Sequence, residues 1–225
     1  MTLGGCLFYV GELDEQGRAF VVAGNVAAAA SLTATSDQSA QKQAIRLGIV
    51  DFLVTTLDEA LRILKNEVRK RSTVAVCVGV APEQVEREML ERGVLPDLVA
   101  TRADSGFAAA NFGQRTKLID PAPADVTLPL LIWEARGVSA GSMPKLDQLA
   151  LDCLAPGEAI EQRWARLAPR YSGRSAEGMR VLRCAPDSAT RFRDRVKAAV
   201  RLGEVTGVEL RMRTPTGDEV ILESI

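Results

Sequence analysis

The stretch that decides the fold is Cys6-Leu7-Phe8-Tyr9-Val10-Gly11-Glu12-Leu13-Asp14-Glu15-Gln16-Gly17-Arg18. Its first five residues are apolar and rich in strand formers, so they predict a buried strand that ends at Gly11. Asp14 is a candidate N-cap for a helix over residues 16–30. Domains that bind dinucleotides open with a strand, a glycine turn and a helix. The stretch therefore predicts the first unit of a Rossmann-like sheet.

Strand-like runs alternate with helical runs as far as residue 100. Further strands are predicted over residues 31–36, 50–54, 74–79 and 97–100, and further helices over residues 39–47, 57–70 and 82–92. Thr56-Leu57-Asp58-Glu59 is a capping box that opens the second of these helices. The alternation predicts an α/β fold, a parallel sheet with helices on both faces. A competing interpretation pairs residues 7–10 with residues 18–22 as an antiparallel hairpin.

Prolines and short helical runs follow residue 113. Residues 128–133 are predicted to form an edge strand. Pro144, Pro156 and Pro169 are predicted to delimit short helices. Within one of them, Ile160, Trp164 and Leu167 form an apolar stripe, which we interpret as a face of the core.

The C-terminal segment has a β-α-β-β pattern. A strand is predicted over residues 180–184, a helix over residues 188–202, and a hairpin over residues 208–213 and 219–222. We therefore divide the chain into a Rossmann-like domain (1–113), a proline-punctuated helical extension (114–177) and a small α+β module (178–225). The helix of the module is basic, but aromatic side chains suited to stacking on bases are missing, so we do not expect nucleic-acid binding.

The composition excludes several classes of function. The 225 residues carry a net charge of −1 and are 47% hydrophobic, which is typical of a soluble globular protein. No apolar run approaches the roughly 20 residues of a membrane span. The N-terminus lacks the pattern of a signal peptide, so we expect a cytoplasmic location and no membrane partner. Histidine is absent, which excludes a Ser-His or Cys-His pair. The four cysteines form no CxxC pair, so we expect no metal site and interpret Cys6 and Cys77 as small buried hydrophobes.

The order and spacing of several segments carry a family resemblance. These segments are Leu7-Phe8, residues 27–37, Gly48 with Val50-Asp51-Phe52-Leu53, Thr56-Leu57-Asp58-Glu59-Ala60-Leu61, and Arg92-Gly93-Val94-Leu95-Pro96-Asp97-Leu98-Val99. Together they resemble the NAD-binding domain of urocanase (urocanate hydratase), over roughly half the chain. The resemblance implies a Rossmann-like fold, a homodimer, and NAD that serves as an electrophile rather than as a hydride carrier.

The departures from the family fall on the cofactor positions. The family's glycine-rich NAD loop maps onto residues 12–19, where Glu12, Asp14 and Glu15 bring negative charges. A pyrophosphate requires bare backbone N–H groups and positive potential. We therefore expect that the chain binds no cofactor, although the resemblance suggests NAD, and that hydratase activity is lost.

Candidate ligand-binding residues lie where the predicted strands end, because ligands of open parallel sheets collect there. They are Gly11, Asp37, Thr55, Gly79, Arg102, Asp104 and Ser105. Asp37 is either an acid that binds a ribose or an acid at a helix N-terminus beside Ser39. Arg102 and Asp104 either bind a carboxylate or form a surface ion pair.

Two classes of function fit these observations. The first is a binding or assembly protein that kept the fold and lost the chemistry. The alternative is a lyase-like or hydratase-like enzyme with a remodelled site at the strand ends, which takes a small molecule or a nucleotide. We also expect a homodimer, formed through the exposed edge of the C-terminal hairpin unless the module covers that edge itself.

Overall fold

The computed structural model describes residues 2–101, 112, 116–119, 127–135, 142–171, 178–213 and 219–224, with side chains as far as residue 213. The chain divides into two compact units, Met1–Pro123 and Ala124–Ile225. We call them the N-terminal unit and the C-terminal unit, and each is described by itself.

The N-terminal unit is a parallel sheet with helices on both faces. Its strands are β1 Leu7–Glu12, β2 Ala30–Ala34, β3 Phe52–Val54, β4 Val74–Val78, β5 Leu98–Ala100 and β6 Lys117–Ile119, in the order β3-β4-β2-β1-β5-β6. Its helices are α1 Glu15–Ala27, α2 Gln38–Arg46, α3 Leu57–Lys70 and α4 Pro82–Glu91. The predicted α/β fold is confirmed. The hairpin interpretation is wrong, because β1 pairs in parallel with β2 and β5.

Side-chain caps fix the starts of α1 and α3. The Gly17 N–H donates to the Asp14 carboxylate (2.8 Å), so the predicted N-cap of α1 is confirmed. At α3 the Glu59 N–H donates to Thr56 Oγ1 (3.3 Å). The Glu59 carboxylate accepts in return from the Thr55 N–H (3.1 Å) rather than from Thr56, so the capping box is shifted by one residue.

The alternation of β1 separates two layers of core. Tyr9 faces α3 and α4, where Leu61, Leu64 and Met89 form a buried cluster with β2 and β4. Phe8 points to the opposite face, where its ring meets Phe20 of α1 edge to face at 6.2 Å. Right-handed crossover connections produce this division. The connections that step along the sheet from β1 towards β3 place α1 and α2 on one face, and those that step back from β3 towards β5 place α3 and α4 on the other.

Gly24 sets the close approach of α1 to the sheet. A Cβ at this position would lie 2.6 Å from Ser31 Oγ and 3.0 Å from Phe8 Cδ1, and both neighbours are buried. We expect Gly24→Ala to lower the free energy of unfolding by about 1–3 kcal/mol, because overpacking outweighs the better helix propensity of alanine. Urea unfolding followed by circular dichroism measures the change. A more stable variant would mean that α1 moves away without cost.

The C-terminal unit is an antiparallel sheet packed against helices. Its elements are β7 Leu130–Ala135, α5 Ser142–Cys153, α6 Ala159–Tyr171, β8 Gly178–Arg183, α7 Pro186–Arg201, β9 Val208–Arg213 and β10 Glu219–Ser224. The sheet order is β10-β9-β7-β8. Leu131, Trp133 and Leu210 from the sheet pack against Leu146 of α5 and Phe192 of α7. The predicted β-α-β-β pattern corresponds to β8, α7, β9 and β10.

Three predictions for this part of the chain need correction. The strand predicted at an edge over residues 128–133 is β7, and it lies between β8 and β9. Pro169 lies inside α6 instead of delimiting it. It falls in the last turn, so only the end of the helix is affected by the backbone hydrogen bond that proline cannot form. The stripe of Ile160, Trp164 and Leu167 contributes to the core through Trp164, which packs against the buried cluster, but all three are half-buried, and Ala165 and Ala168 are the buried residues of this helix.

The position of β7 also bears on the division of the chain. Because β7 lies between β8 and β9, the predicted extension and the predicted module contribute to one sheet. The structure groups both within Ala124–Ile225. β10 lies at the edge of this sheet, and its pairing with a second copy stays a prediction.

Candidate functional site

The parallel strands of the N-terminal unit end at one edge of the sheet. We call the residues at or next to the carboxyl ends of strands β1 to β5 the strand-end crevice: Gly11, Thr35, Thr55, Gly79 and Thr101. Because β2 lies between β1 and β4, Gly11 and Gly79 are two strands apart, about 10 Å at the usual strand spacing. Arg102, Asp104 and Ser105 lie outside the described residues.

The segment after Gly11 continues the sheet instead of opening a loop. Gly11 has a φ of +81° at an irregularity in the pairing of β1 with β2, and its carbonyl accepts from Thr33 Oγ1 (2.8 Å). The Leu13 N–H then donates to the Ala34 carbonyl (3.0 Å), and the Leu13 side chain is 0% exposed. A packed leucine therefore follows the glycine turn at the point where a dinucleotide-binding domain would present bare N–H groups.

The N-terminus of α1 is occupied by the protein's own acids. The Asp14 carboxylate accepts from the Gly17 N–H, and Glu15 lies in the first turn. A helix N-terminus attracts anions because its first N–H groups are unpaired and the helix dipole is positive there. Asp14 and Glu15 already supply that negative charge, so a phosphate would have to displace or approach a carboxylate.

Gln41 of α2 closes the crevice between β2 and β4. Its side chain is 9% exposed, and Nε2 donates to the Thr35 carbonyl (2.8 Å). A Cβ on Gly79 would lie 3.4 Å from the same Nε2 atom. The Gly79 N–H donates to the Val54 carbonyl (2.8 Å). The amide of Gln41 therefore takes the space that Gly79 would otherwise leave beside the strand end.

Asp37 and Thr55 have structural partners of their own. Asp37 Oδ1 accepts from the Ser39 N–H (2.7 Å) and caps α2, which is the helix-terminal alternative considered for this acid. Thr55 Oγ1 donates to the Glu59 carboxylate (3.3 Å). Both residues are exposed. Their side chains stabilise the starts of α2 and α3 at the edge where a ligand would lie.

The electrostatics of the crevice oppose a thiolate. Burial, with a smaller contribution from the negative charge of Glu12, raises the pKa of the Cys77 thiol to about 12. A thiol with this pKa is protonated at neutral pH and is a poor nucleophile. The interpretation of Cys77 as a small buried hydrophobe is confirmed, since its side chain is fully buried and free.

A buried polar pair that the sequence did not reveal lies below the crevice. The Tyr9 hydroxyl donates to Glu86 Oε1 (3.0 Å), and the two residues are 0% and 5% exposed. Burial raises the pKa of both groups, and for Tyr9 the nearby Glu86 adds to the rise. In the sequence Glu86 resembles the other charged residues of α4, and no local pattern marks it as buried.

The raised pKa of Glu86 predicts a pH dependence of stability. The folded protein binds the Glu86 proton more tightly than the unfolded chain does, so this group lowers stability as the pH rises through its ordinary range near about 4.3. Glu86→Gln keeps an acceptor for Tyr9 and removes the titration. We expect the free energy of unfolding of the variant to gain on that of the wild type as the pH rises from about 4 to about 7, because only the wild type has to deprotonate a buried carboxyl group. Urea unfolding measures both proteins at the two pH values. The same difference in free energy of unfolding at both would contradict the prediction.

One comparison with known proteins bears on the N-terminal unit. Residues 2–106 match the family model of the urocanase Rossmann-like domain. The predicted resemblance of this domain to urocanase is therefore confirmed. The match covers β1 to β5, including the strand-end crevice, and ends before β6. We refer to the matched residues as the urocanase-like domain.

Membrane-spanning helices and groups of metal-binding side chains are absent from the described residues. None of the helices in the described ranges combines the length and the apolar character that crossing a membrane requires. Within the same ranges, Cys, Asp and Glu side chains form no group of three that could hold a metal ion.

Proposed function

We propose that this chain is a urocanase-like protein that has lost urocanate hydratase activity and serves as a binding or assembly protein. The observation that carries the proposal is the Asp14 carboxylate on the N-terminus of α1. In the Rossmann arrangement the pyrophosphate of a dinucleotide lies at this helix terminus. The same position holds an acid of the protein here.

Charge repulsion adds to this occupation. Glu12, Asp14 and Glu15 lie within four residues of each other at the end of β1 and the start of α1. Two like unit charges 4 Å apart repel by about 1 kcal/mol in water and by about 4 kcal/mol at an effective dielectric constant near 20. Asp14 and Glu15 are exposed, so the lower figure applies to them. Several such repulsions oppose the binding of each phosphate, and few free backbone N–H groups offset them.

The loss of the NAD site would remove the hydratase reaction as well as the affinity for NAD. The resemblance implies that urocanase uses NAD as the electrophile of its reaction, so a domain that binds no NAD has no reactive centre. The remaining crevice is packed by Leu13 and Gln41. A filled crevice favours a protein that kept the fold as a platform for other contacts.

A second candidate function rests on Thr101. Its Oγ1 atom is buried and has no hydrogen-bond partner among the described residues, and Thr101 directly follows β5, the neighbour of β1. The sheet order reverses between β1 and β5, which is where ligands of open α/β sheets bind. An unpaired hydroxyl there favours a polar small-molecule or nucleotide substrate in a remodelled site, as a lyase-like or hydratase-like enzyme would have.

A hydratase assay tests the proposal. The purified protein is incubated with urocanate and added NAD, and the loss of urocanate absorbance is followed. We expect no turnover above the rate without protein. Turnover that depends on NAD would contradict the proposal. The second candidate predicts that a polar small molecule raises the melting temperature of the wild type and not that of Thr101→Val.

A further inference from the structure

Strand β3, at one edge of the parallel sheet, carries exposed apolar side chains on both of its faces. Phe52 is 47% exposed and Leu53 is 42% exposed, and the two point to opposite faces because successive side chains alternate along a strand. Ile45, in the last turn of α2, is 42% exposed as well. Soluble proteins normally protect an edge with a charged side chain or a proline, and β6 at the other edge of this sheet carries the exposed Lys117. The sequence of β3 contains neither.

The backbone of β3 offers hydrogen-bonding groups at the open edge. The Gly79 N–H donates to the Val54 carbonyl (2.8 Å), so the carbonyl of Val54 is directed towards β4. Because successive residues of a strand direct their N–H and carbonyl groups to opposite sides, those of Leu53 are directed away from β4. An outward N–H and carbonyl on one residue are the groups to which an added strand hydrogen-bonds. The edge is therefore suited to an extended peptide backbone.

A groove beside β3 provides room for the side chains of an added strand. It has a volume of about 760 Å³ and lies between β3 and α3. Phe52, Ile63 and Val74 contribute apolar surface to it, and Arg62 and Glu67 are among its polar lining residues. We call it the β3 groove. Because side chains alternate along a strand, every second side chain of an added strand would point to the face of this groove.

The charges of the β3 groove favour an acidic partner. Its two acids already have partners, since the Asp51 carboxylate accepts from a backbone N–H of β4 (2.8 Å) and the Glu67 carboxylate pairs with Lys70 (3.0 Å). Arg62 is exposed, and no carboxylate of the described residues lies within ion-pair distance of it. Asp58, one turn away, pairs with another arginine. A second copy of this chain, paired through the same edge, would bring the same cation, so a segment of a different protein with an acidic side chain matches the groove better.

We propose that β3 is a docking edge for an extended segment of a partner protein, which adds a strand to the parallel sheet and places an acidic side chain beside Arg62. The side chains of the segment cover Phe52 on the face of the β3 groove and Leu53 on the opposite face. This inference deepens the proposed binding role and rests on it, because it names the place and the chemistry of the bound partner.

Binding of a synthetic peptide tests the edge. The probe is a fluorescein-labelled peptide of about six residues, the usual length of a strand, in which threonine and valine alternate and one central threonine is replaced by glutamate. We expect fluorescence anisotropy to give a dissociation constant of about 10–100 µM, a modest affinity because β3 has only three residues. The same peptide with a proline at its centre lacks the N–H that an added strand donates, and it is expected not to bind. Equal binding of the two peptides would overturn the proposal.

A charge on the edge strand of the protein tests the same contact. Leu53→Lys is expected to weaken binding of the glutamate peptide by about tenfold or more, since a lysine on an edge opposes the addition of a strand. Leu118→Lys is the matched control, because Leu118 is an exposed leucine of the other edge strand, β6, and it is expected to leave binding unchanged. Circular dichroism verifies that each variant is folded. Equal affinities of folded Leu53→Lys and of the wild type would overturn the docking edge.

A charge reversal tests the role of Arg62. Arg62→Glu is expected to weaken binding of the glutamate peptide about fivefold, the upper value for an exposed ion pair, and to strengthen binding of a peptide with lysine at the same position. If Arg62→Glu bound both peptides as the wild type does, the acidic character of the partner would be wrong.

Two further results would overturn the proposal. One is the absence of binding of the glutamate peptide to the wild type at about 1 mM. The other is a wild-type mass of about twice 24.2 kDa that Leu53→Lys reduces to that of a single chain, because a second copy would then occupy the edge. Hydratase turnover by a protein that binds the peptide would contradict the proposed function and leave the docking edge standing. An inactive protein that binds no peptide would contradict the docking edge alone.

Discussion

Leu13→Ala is expected to lower the free energy of unfolding by about 3–5 kcal/mol, because the surrounding residues cannot fill the cavity that the substitution leaves. The side chain is 0% exposed, and the backbone N–H is held by the Ala34 carbonyl. These contacts leave the chain after Gly11 little freedom to collapse around the missing atoms. Urea unfolding followed by circular dichroism measures the loss.

Leu13→Met is the control for this experiment, since it conserves volume and is expected to cost less than about 1.5 kcal/mol. A loss below about 1 kcal/mol for Leu13→Ala would mean that the segment after Gly11 is loosely packed. The segment would then resemble an open phosphate-binding loop more than the packed strand described above.

Phe192→Ala is expected to cost about 3–5 kcal/mol in the C-terminal unit. Phe192 is 1% exposed, and its ring centroid lies 5.1 Å from that of Trp133. Both tryptophans of the chain, Trp133 and Trp164, belong to this unit, so tryptophan fluorescence reports its unfolding. Phe192→Leu is expected to cost clearly less, because it keeps most of the buried volume. Equal losses for the two variants would show that the aromatic contact, rather than the volume, holds the core.

The N-terminal unit was largely predictable because its signals are local. Strands β1 to β5 follow from apolar runs between glycines and polar turns, and α3 follows from its cap and the spacing of Leu57, Leu61 and Leu64. Such signals depend on residues a few positions apart. The predicted bounds of α3, residues 57–70, agree with the structure for this reason.

The interior position of β7 was not predictable in the same way. Its neighbours β8 and β9 begin at Gly178 and Val208, more than 40 residues further along the chain. Strand pairing over such distances leaves no local trace. The prolines near residues 121–129 favoured an edge, since proline is confined to edges within sheets, but they precede the strand.

The candidate site, too, was predictable where residue types alone decide and not where distant residues make contact. The acids after Gly11 and their conflict with a phosphate were readable from residue types alone. The contacts that fill the crevice were not predictable, because Gln41 donates to the Thr35 carbonyl from another element. The hydrogen bond between Tyr9 and Glu86 was not predictable either, because the two residues are 77 positions apart. The two interpretations of Asp37 likewise differ only in what its carboxylate contacts, which is the Ser39 N–H.

The central claim is that the protein's own side chains and acids occupy the place of a dinucleotide, and calorimetric titration with NAD tests it most directly. We expect no measurable heat of binding to wild-type protein up to about 1 mM NAD, a binding free energy weaker than about −4 kcal/mol. The variant Glu12→Gln/Asp14→Ser/Glu15→Gln keeps a helix cap and removes the charges, and it is expected to bind NAD more tightly than the wild type. A micromolar dissociation constant for the wild type would contradict the account.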